Sequence, residues 1–239
     1  MLKHFRKLLA VFLLAGSSLA SAVPCVSATL SDYVAYGTTG CTLFDGLASN
    51  FVAPLPGQTV FSAIAPSSII VTPIGNALLP GFSFALNRST AERLESFFRF
   101  SLQGISAKAL TLSMAGAAQS GDGSVSVVAD SCSGGSFDPT QPTHCSGKTL
   151  GSLITLLTAN DLIAEDTINF AVTSFFDVFV DITLDGAGQN AGTASFESAS
   201  LQFAAVPVLA SVPVPTTSAL VALALLALAA TSRRRHSQG

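Results

Sequence analysis

From Phe176 to Leu184 the chain reads Phe-Asp-Val-Phe-Val-Asp-Ile-Thr-Leu, and every second residue from Phe176 onward is apolar. Successive side chains of an extended strand point to opposite faces. The pattern therefore gathers Phe176, Val178, Val180, Ile182 and Leu184 on one face, where a helix would scatter them around its axis. The same period recurs along the chain. Gly81–Leu86 places Phe82, Phe84 and Leu86 together, and Phe98–Gln103 turns Phe98, Phe100 and Leu102 inward with Arg99, Ser101 and Gln103 toward water. Ala109–Met114 and Ser124–Val127 repeat the alternation, and Ser195–Phe203 closes the series with Leu201 and Phe203 inward. Turn residues such as Gly121-Asp122-Gly123 and Asp185-Gly186-Ala187-Gly188 separate these runs. Half-buried strands between such turns predict an all-β fold, an antiparallel β-sandwich of jelly-roll or immunoglobulin-like type.

One or two short helices are expected within it. Ser89–Glu95 carries Ser89-x-x-Glu92, which resembles a capping box, and Leu150–Glu165 reads equally as strand or short helix. A parallel α/β fold would need helices between most strands, and too few segments can supply them. No internal repeat of 20 to 50 residues is visible.

Charge narrows the functional classes. Only 10% of residues are charged, against roughly 25% in an average soluble protein. Ser, Thr, Ala and Gly fill the space, a composition that suits strands with small polar outer faces. Six of the 11 basic residues lie at the two ends, while all 14 acidic residues lie between them. The body is therefore acidic, with only Arg88, Arg93, Arg99, Lys108 and Lys148 to offset that charge. Phosphate binding needs clustered Lys and Arg, so nucleic acid is excluded as a partner.

The ends have a different character. Lys3, His4, Arg6 and Lys7 form a positive segment, Leu8–Ala15 an apolar one, and Ala20-Ser21-Ala22 a small-residue site. That order is the pattern of a secretory signal peptide, residues 1–22, with Ala20 and Ala22 at the cleavage site and Val23 as the mature start. A buried N-terminal helix would not explain the order. At the other end Val212-Pro213-Val214-Pro215 precedes an uncharged run, Ala219–Ala230, and then Arg233, Arg234 and Arg235. The run is roughly 18 Å long as a helix. With its mild flanks, Thr216–Ser232, it counts 17 residues, the short limit for spanning a bilayer core of about 30 Å. Positive charge stays on the cytoplasmic side, so the body would lie outside and the tail inside. A buried core helix would leave three arginines against it without a nearby carboxylate.

This three-part tail, residues 211–239, resembles the PEP-CTERM sorting signal of Gram-negative bacteria. Pro213 and Pro215 match the two prolines and Arg233–Arg235 the basic stop, while Val214 stands where the motif has Glu. The resemblance implies an exosortase as processing partner, besides signal peptidase. It also implies exopolysaccharide-producing, biofilm-forming cells as the setting. Without that processing the same helix serves as a simple membrane anchor. Prolines cannot continue a helix and hold the chain extended just outside the membrane, within a protease's reach.

The body, residues 23–210, keeps Cys25, Cys41, Cys132 and Cys145. Two local pairs in an exported chain favour disulfides Cys25–Cys41 and Cys132–Cys145, although three connectivities are formally open. Each local loop would contribute about 3 kcal/mol by the loop-entropy argument. The second loop holds Gly134, Gly135, Pro139 and Pro142 and reads as a pinned surface excursion. Structural zinc wants closer Cys spacing.

Catalytic residues are hard to find. His144 is the body's single histidine, next to Cys145, and would serve a thiol dyad only if that cysteine were free. No Gly-x-Ser-x-Gly elbow occurs. Asp161, Glu165 and Asp166 form one acidic group and Asp177, Asp181 and Asp185 another. The second three share a strand face at steps of about 13 Å, opposite the apolar residues, which predicts exposure to solvent. If they instead lined a pocket with raised pKa values, a glycosidase-like secreted hydrolase would be favoured. A calcium site at the Asp185–Gly188 turn, as in a calcium-dependent adhesin, has suitable oxygen donors, but no Asp-x-Asp-x-Asp-Gly loop is present. Aromatic glycan platforms find little support, since Trp is absent, Tyr33 and Tyr36 are the two tyrosines, and the 17 Phe fall mostly on inward faces. Asn87-Arg88-Ser89 matches a glycosylation sequon, a chance match in a bacterial chain. The expectation is an exported, non-enzymatic surface or matrix protein without a required cofactor, structural or adhesive in role and associated with exopolysaccharide.

Overall fold

A computed structural model of the chain describes residues 22–54, 63–138, 141–188 and 191–207. The expected signal peptide, Ala22 apart, and the sorting tail with Pro213, Pro215 and Arg233–Arg235 lie outside these residues. The first strands are β1 (Val23–Pro24) and β2 (Ala28–Thr29), followed by helix α1 (Leu30–Ala35), β3 (Cys41–Leu43) and β4 (Gly46–Val52). Then come β5 (Ile70–Ile74), β6 (Gly81–Thr90), β7 (Arg93–Ala115), β8 (Ala118–Gly121) and β9 (Ser124–Ser133). The rest are β10 (Phe137–Asp138), β11 (Gln141–Cys145), β12 (Lys148–Leu157), β13 (Leu162–Ile163), β14 (Glu165–Asp185) and β15 (Gly192–Ala205). The protein is an antiparallel β protein, and β1 with β3 is a short parallel exception.

Two long strands organise it. β7 has 23 residues and β14 has 21, and they pair antiparallel from Arg93↔Asp185 to Ser113↔Glu165. Midway the register shifts between Asn169 and Phe175. On β7 the same level holds Gly104, whose φ of 86° lies where a side chain is strained. Extra residues of this kind bend and twist a ladder. On one side of the bend the pair is flanked by β4, next to Arg99–Gln103, and by β9, next to Phe176–Asp185. β12 and β13 extend that lobe. On the other side β15 pairs with Ala107–Ala115 and leads to β6, β5 and β2. The resulting path from β13 to β2 is open, not a closed barrel.

The two lobes pack in a sandwich-like way, and the contacts between them are aromatic. Phe82 and Phe84 of β6 meet Phe98 and Phe100 of β7 with ring centroids 4.9 to 6.2 Å apart, and Phe51 of β4 meets Phe82 edge-on at 5.9 Å. Phe176 of β14 meets Phe203 of β15 at 5.1 Å. Such pairs add about 0.5–1.5 kcal/mol beyond burial of their area. Every residue that the alternation turned inward in these runs is buried, including Leu110, Leu112, Val125, Val127 and Leu201.

The helix expectations are corrected. Ser89–Glu95 spans the end of β6, a corner at Ala91–Glu92 and the start of β7. The corner is tied down by Gly186 and Gly188, whose N–H groups donate to the carbonyls of Glu92 and Ala91. Leu150–Glu165 is β12, a Thr158–Asp161 turn, β13 and the first residue of β14. Of its two expected readings the strand holds, since seven of its residues, Gly151–Leu157, pair with β9. The α-helix among the described residues, α1, starts on a capping box: Thr29 Oγ1 accepts from Asp32 N, and the Asp32 side chain accepts from Thr29 N.

Both local disulfides form, Cys25–Cys41 and Cys132–Cys145, and no cysteine is free. Phe82 has no solvent exposure and touches Tyr33, Phe51, Phe84 and Phe100. Phe82→Ala should cost roughly 3–5 kcal/mol, as large-to-small changes of buried aromatics do. Urea unfolding measures it, and a loss below 1 kcal/mol would contradict the facing-lobe packing.

Candidate functional site

The outer face of the lobe built on β4, β7, β14 and β9 follows from strand register. Ser101 lies beside Ser49 and Asp177, and Asp177 beside Cys132. One rung on, Arg99 neighbours Phe179, which neighbours Asp130. Alternation alone leaves all of these in water. The Cys132–Cys145 bond changes that, because it folds the β10–β11 excursion back over this face. Phe137 of the excursion is buried against Phe179 and Cys132, with Val52, Phe97 and Cys145 around them, a small second core. The expected exposure of Arg99, Ser101 and Asp177 is thereby corrected: Asp177 is 1% exposed, Ser101 4%, and the Arg99 side chain 18%.

Asp177 is closely held. Its Oδ1 accepts from Ser101 Oγ at 2.9 Å and its Oδ2 from the Phe137 N–H at 2.7 Å, with Arg99 Nη1 3.9 Å away. Arg99 Nη1 also donates to the Phe137 carbonyl. Burial raises the Asp177 pKa, against the lowering effect of these three partners. With each oxygen accepting a hydrogen bond, one of them from the loop, Asp177 fixes the excursion to the sheet.

Beside this group lies a cleft of about 420 Å³. Buried or half-buried Asn50, Phe51, Val52, Arg99, Ser101 and Asp177 line it together with Gly37, Thr38, Ser136 and Phe175. Asn50 sits in a register shift of the β4–β7 pairing with φ of 55°, held by its N–H donating to the Gly37 carbonyl at 2.9 Å. A second depression of about 300 Å³, lined by Gly134, Gly135 and Ser146, shares Ser136 and Phe175 with the first. Half-buried Phe175 thus stands between two adjoining hollows. Sequence reading missed Asn50, Ser136 and Phe175. The available signal was the Cys132–Cys145 pair, which required the excursion to lie over a neighbouring strand.

The other expected residues are dispersed. Asp181 is partly buried, and its pKa rises to about 6. Burial is the main cause, and Glu95 and Asp130 add to it, opposed by the Thr183 hydroxyl at 3.1 Å and by Arg93. Asp181 lines neither hollow. Asp185 accepts from Ala187 N at 2.8 Å and so stabilises its own turn. Among the described residues no group of three or more His, Cys, Asp or Glu gathers to hold a metal ion. Asp161 ends the Thr158 turn, Glu165 accepts from Ser113 Oγ and Asp166 from Ile154 N. His144 is exposed beside the disulfide-bonded Cys145, which removes the thiol dyad. No helix among the described residues is long and apolar enough to cross a membrane.

No family model matches the sequence, and no curated protein matches it. Among solved structures the chain is similar to TmCBM61 in complex with β-1,4-galactotriose, at 11% identity and a TM-score of 0.26, covering 64% of this chain and 86% of that one. It is also similar to the enzymatically active domain of tailspike protein 4 of bacteriophage CBA120, at 12% identity and a TM-score of 0.24, covering 64% and 19%. A family two carbohydrate esterase from Cellvibrio japonicus matches at 14% identity and a TM-score of 0.22, covering 69% and 37%. Likenesses this distant say nothing of what this chain binds or does.

Asp181 yields a pH prediction. Its folded pKa of about 6 lies above the ordinary 3.8, so between these values the unfolded chain gives up a proton that the folded one keeps. Stability therefore falls as pH rises through that window and is level on either side. Asp181→Asn should stabilise the protein at pH 7 by on the order of 2–3 kcal/mol and hardly at all below pH 3.8. Thermal melts across pH 3–8 decide it, and equal gains at both ends would refute the linkage.

Proposed function

We propose that the chain is an exported surface or matrix protein whose body is a disulfide-stapled sandwich of jelly-roll or immunoglobulin-like kind, structural or adhesive in role, in an exopolysaccharide setting. On this reading residues 1–22 are a signal peptide, and residues 211–239 are a sorting tail that anchors the chain in the inner membrane until an exosortase processes it. The observation that carries the exported reading is the pair of disulfides with no free cysteine, since such bonds persist in oxidising compartments. The PEP-CTERM resemblance of Val212–Arg235 supplies the route. A structural role fits a body whose best-buried carboxylate among the described residues holds a loop down.

A second reading, a secreted hydrolase, is favoured by one feature, the raised pKa of Asp181 beside Glu95 and Asp130. A general acid near pH 6 is chemically apt, yet the side chain lines neither hollow of the cleft. Hydrolysis of glycosidic or ester substrates that Asp181→Asn abolishes would establish this second reading over the first.

Mass spectrometry of the protein recovered from producing cells tests the export reading. The expected product starts at Val23 and ends near Pro213–Pro215, and Val214→Glu, which restores the motif's acidic residue, should raise the processed fraction. A cytosolic product keeping both Met1 and Gly239 would overturn it.

A further inference from the structure

We propose that the paired hollows on either side of Phe175 form a binding groove for an extended, uncharged polyhydroxylated chain, a neutral polysaccharide segment. It draws on the exported-surface reading only for the setting in which such a chain is met. The binding itself is argued from the groove.

Size comes first. The hollows, about 420 and 300 Å³, adjoin at Ser136 and Phe175. Together they fall in the range of small-molecule sites, roughly 300–1,000 Å³. Their arrangement side by side suits a ligand that continues across both. The lining chemistry selects its class. Thr38, Asn50 and Ser136 are uncharged groups able both to donate and to accept, as sugar hydroxyls do. Ser136 and Thr38 are exposed. The Asn50 amide is held at the wall by long contacts only, 3.4 Å to Ser49 Oγ and 3.5 Å to Ser101 Oγ, and gains by a better-placed acceptor.

The charged groups argue against an anionic chain. Arg99 lies 3.9 Å from Asp177 and both bond Phe137 at the base, which leaves the site with little net charge, although Arg99 Nε has no hydrogen-bond partner. Phe175 is its half-exposed aromatic, a flat apolar surface for the C–H face of a pyranose ring. Phe51 and Val52 also line the larger hollow, but Phe51 is 2% exposed. Phe175 and half-buried Val52 are therefore the apolar surface on offer, too little for the anchor side chains of a peptide, which want dedicated hydrophobic pockets. The rim is also firm. Ser136 and Ser146 bond reciprocally: Ser146 Oγ accepts from Ser136 N and donates to Ser136 O, both at 3.0 Å. Cys132–Cys145 closes the loop that carries them. A groove set before the ligand arrives avoids the entropy of ordering its walls.

Affinity electrophoresis of the full chain in native gels tests this, with dextran, galactomannan, xyloglucan or arabinogalactan cast in the gel, alginate as an acidic polymer and polyproline as an extended peptide. Retardation by at least one neutral polymer is expected. Phe175→Ala should weaken it about tenfold. Ser136→Trp, which fills the groove from an exposed position, should abolish it with the melting temperature unchanged. Thr111→Ala, on the far lobe, should bind as the wild type does. No retardation by any neutral polymer, stronger retardation by alginate or polyproline, or full binding by Ser136→Trp would each overturn the proposal. None of these outcomes bears on the termini read by mass spectrometry, so the groove and the export reading fail separately.

Discussion

The antiparallel pairing of β7 with β14 is the constraint on which the rest of the structure depends. Because the ladder runs through both lobes, neither lobe can shift register without the other. A one-residue slip of β14 would carry Phe176, Val178, Val180 and Ile182 to the outer face together. The bend at Gly104 and Asn169–Phe175 lets a single ladder serve two facing layers. It also places Phe175 at the point where the ladder resumes, next to the excursion's rim. The groove is therefore a by-product of the bend, walled by whatever reaches over it.

What reaches over it is held by electrostatics as much as by the disulfide. A carboxylate buried as deeply as Asp177 is costly unless paired and hydrogen-bonded. The attraction of Arg99 at 3.9 Å is worth on the order of 4 kcal/mol before desolvation, at the effective dielectric that suits such sites. Two further donors satisfy the oxygens, and one of them, the Phe137 N–H, belongs to the excursion. The loop thus supplies the compensation that makes burial of Asp177 tolerable, and Asp177 in return fixes the loop. Phe137 then covers Phe179, an aromatic that alternation alone would have left in water.

This mutual dependence explains what could be read from the sequence. The inward faces of β6, β7, β14 and β15 were legible because period two is a local property and each run states it separately. The fates of Arg99, Ser101 and Asp177 were not. Their exposure is decided by a segment some 40 residues away, and nothing within their own strands records it. The cysteine spacing did mark the excursion as pinned, without telling which face it would cover. The misread helices have a related cause. Ser89-x-x-Glu92 and Thr29-x-x-Asp32 are equivalent as capping patterns. The first lies at a corner between two long strands whose cross-lobe pairing dominates. The second lies in a stretch with only two-residue strands on one side, so local preference prevails there.

An open sheet with so few charges must also manage its edges, since unpaired strand edges recruit other chains. The path ends at both extremes in strands of two residues, β13 and β2, too short to template an added strand. Along β12, whose outer edge continues past β13, the Ile154 N–H is taken by the Asp166 carboxylate at 3.0 Å. On β5, Pro73 has no N–H to offer. These devices protect the ladder without surface charge. They leave the body free to carry the small-residue, hydroxyl-rich faces that its composition dictates.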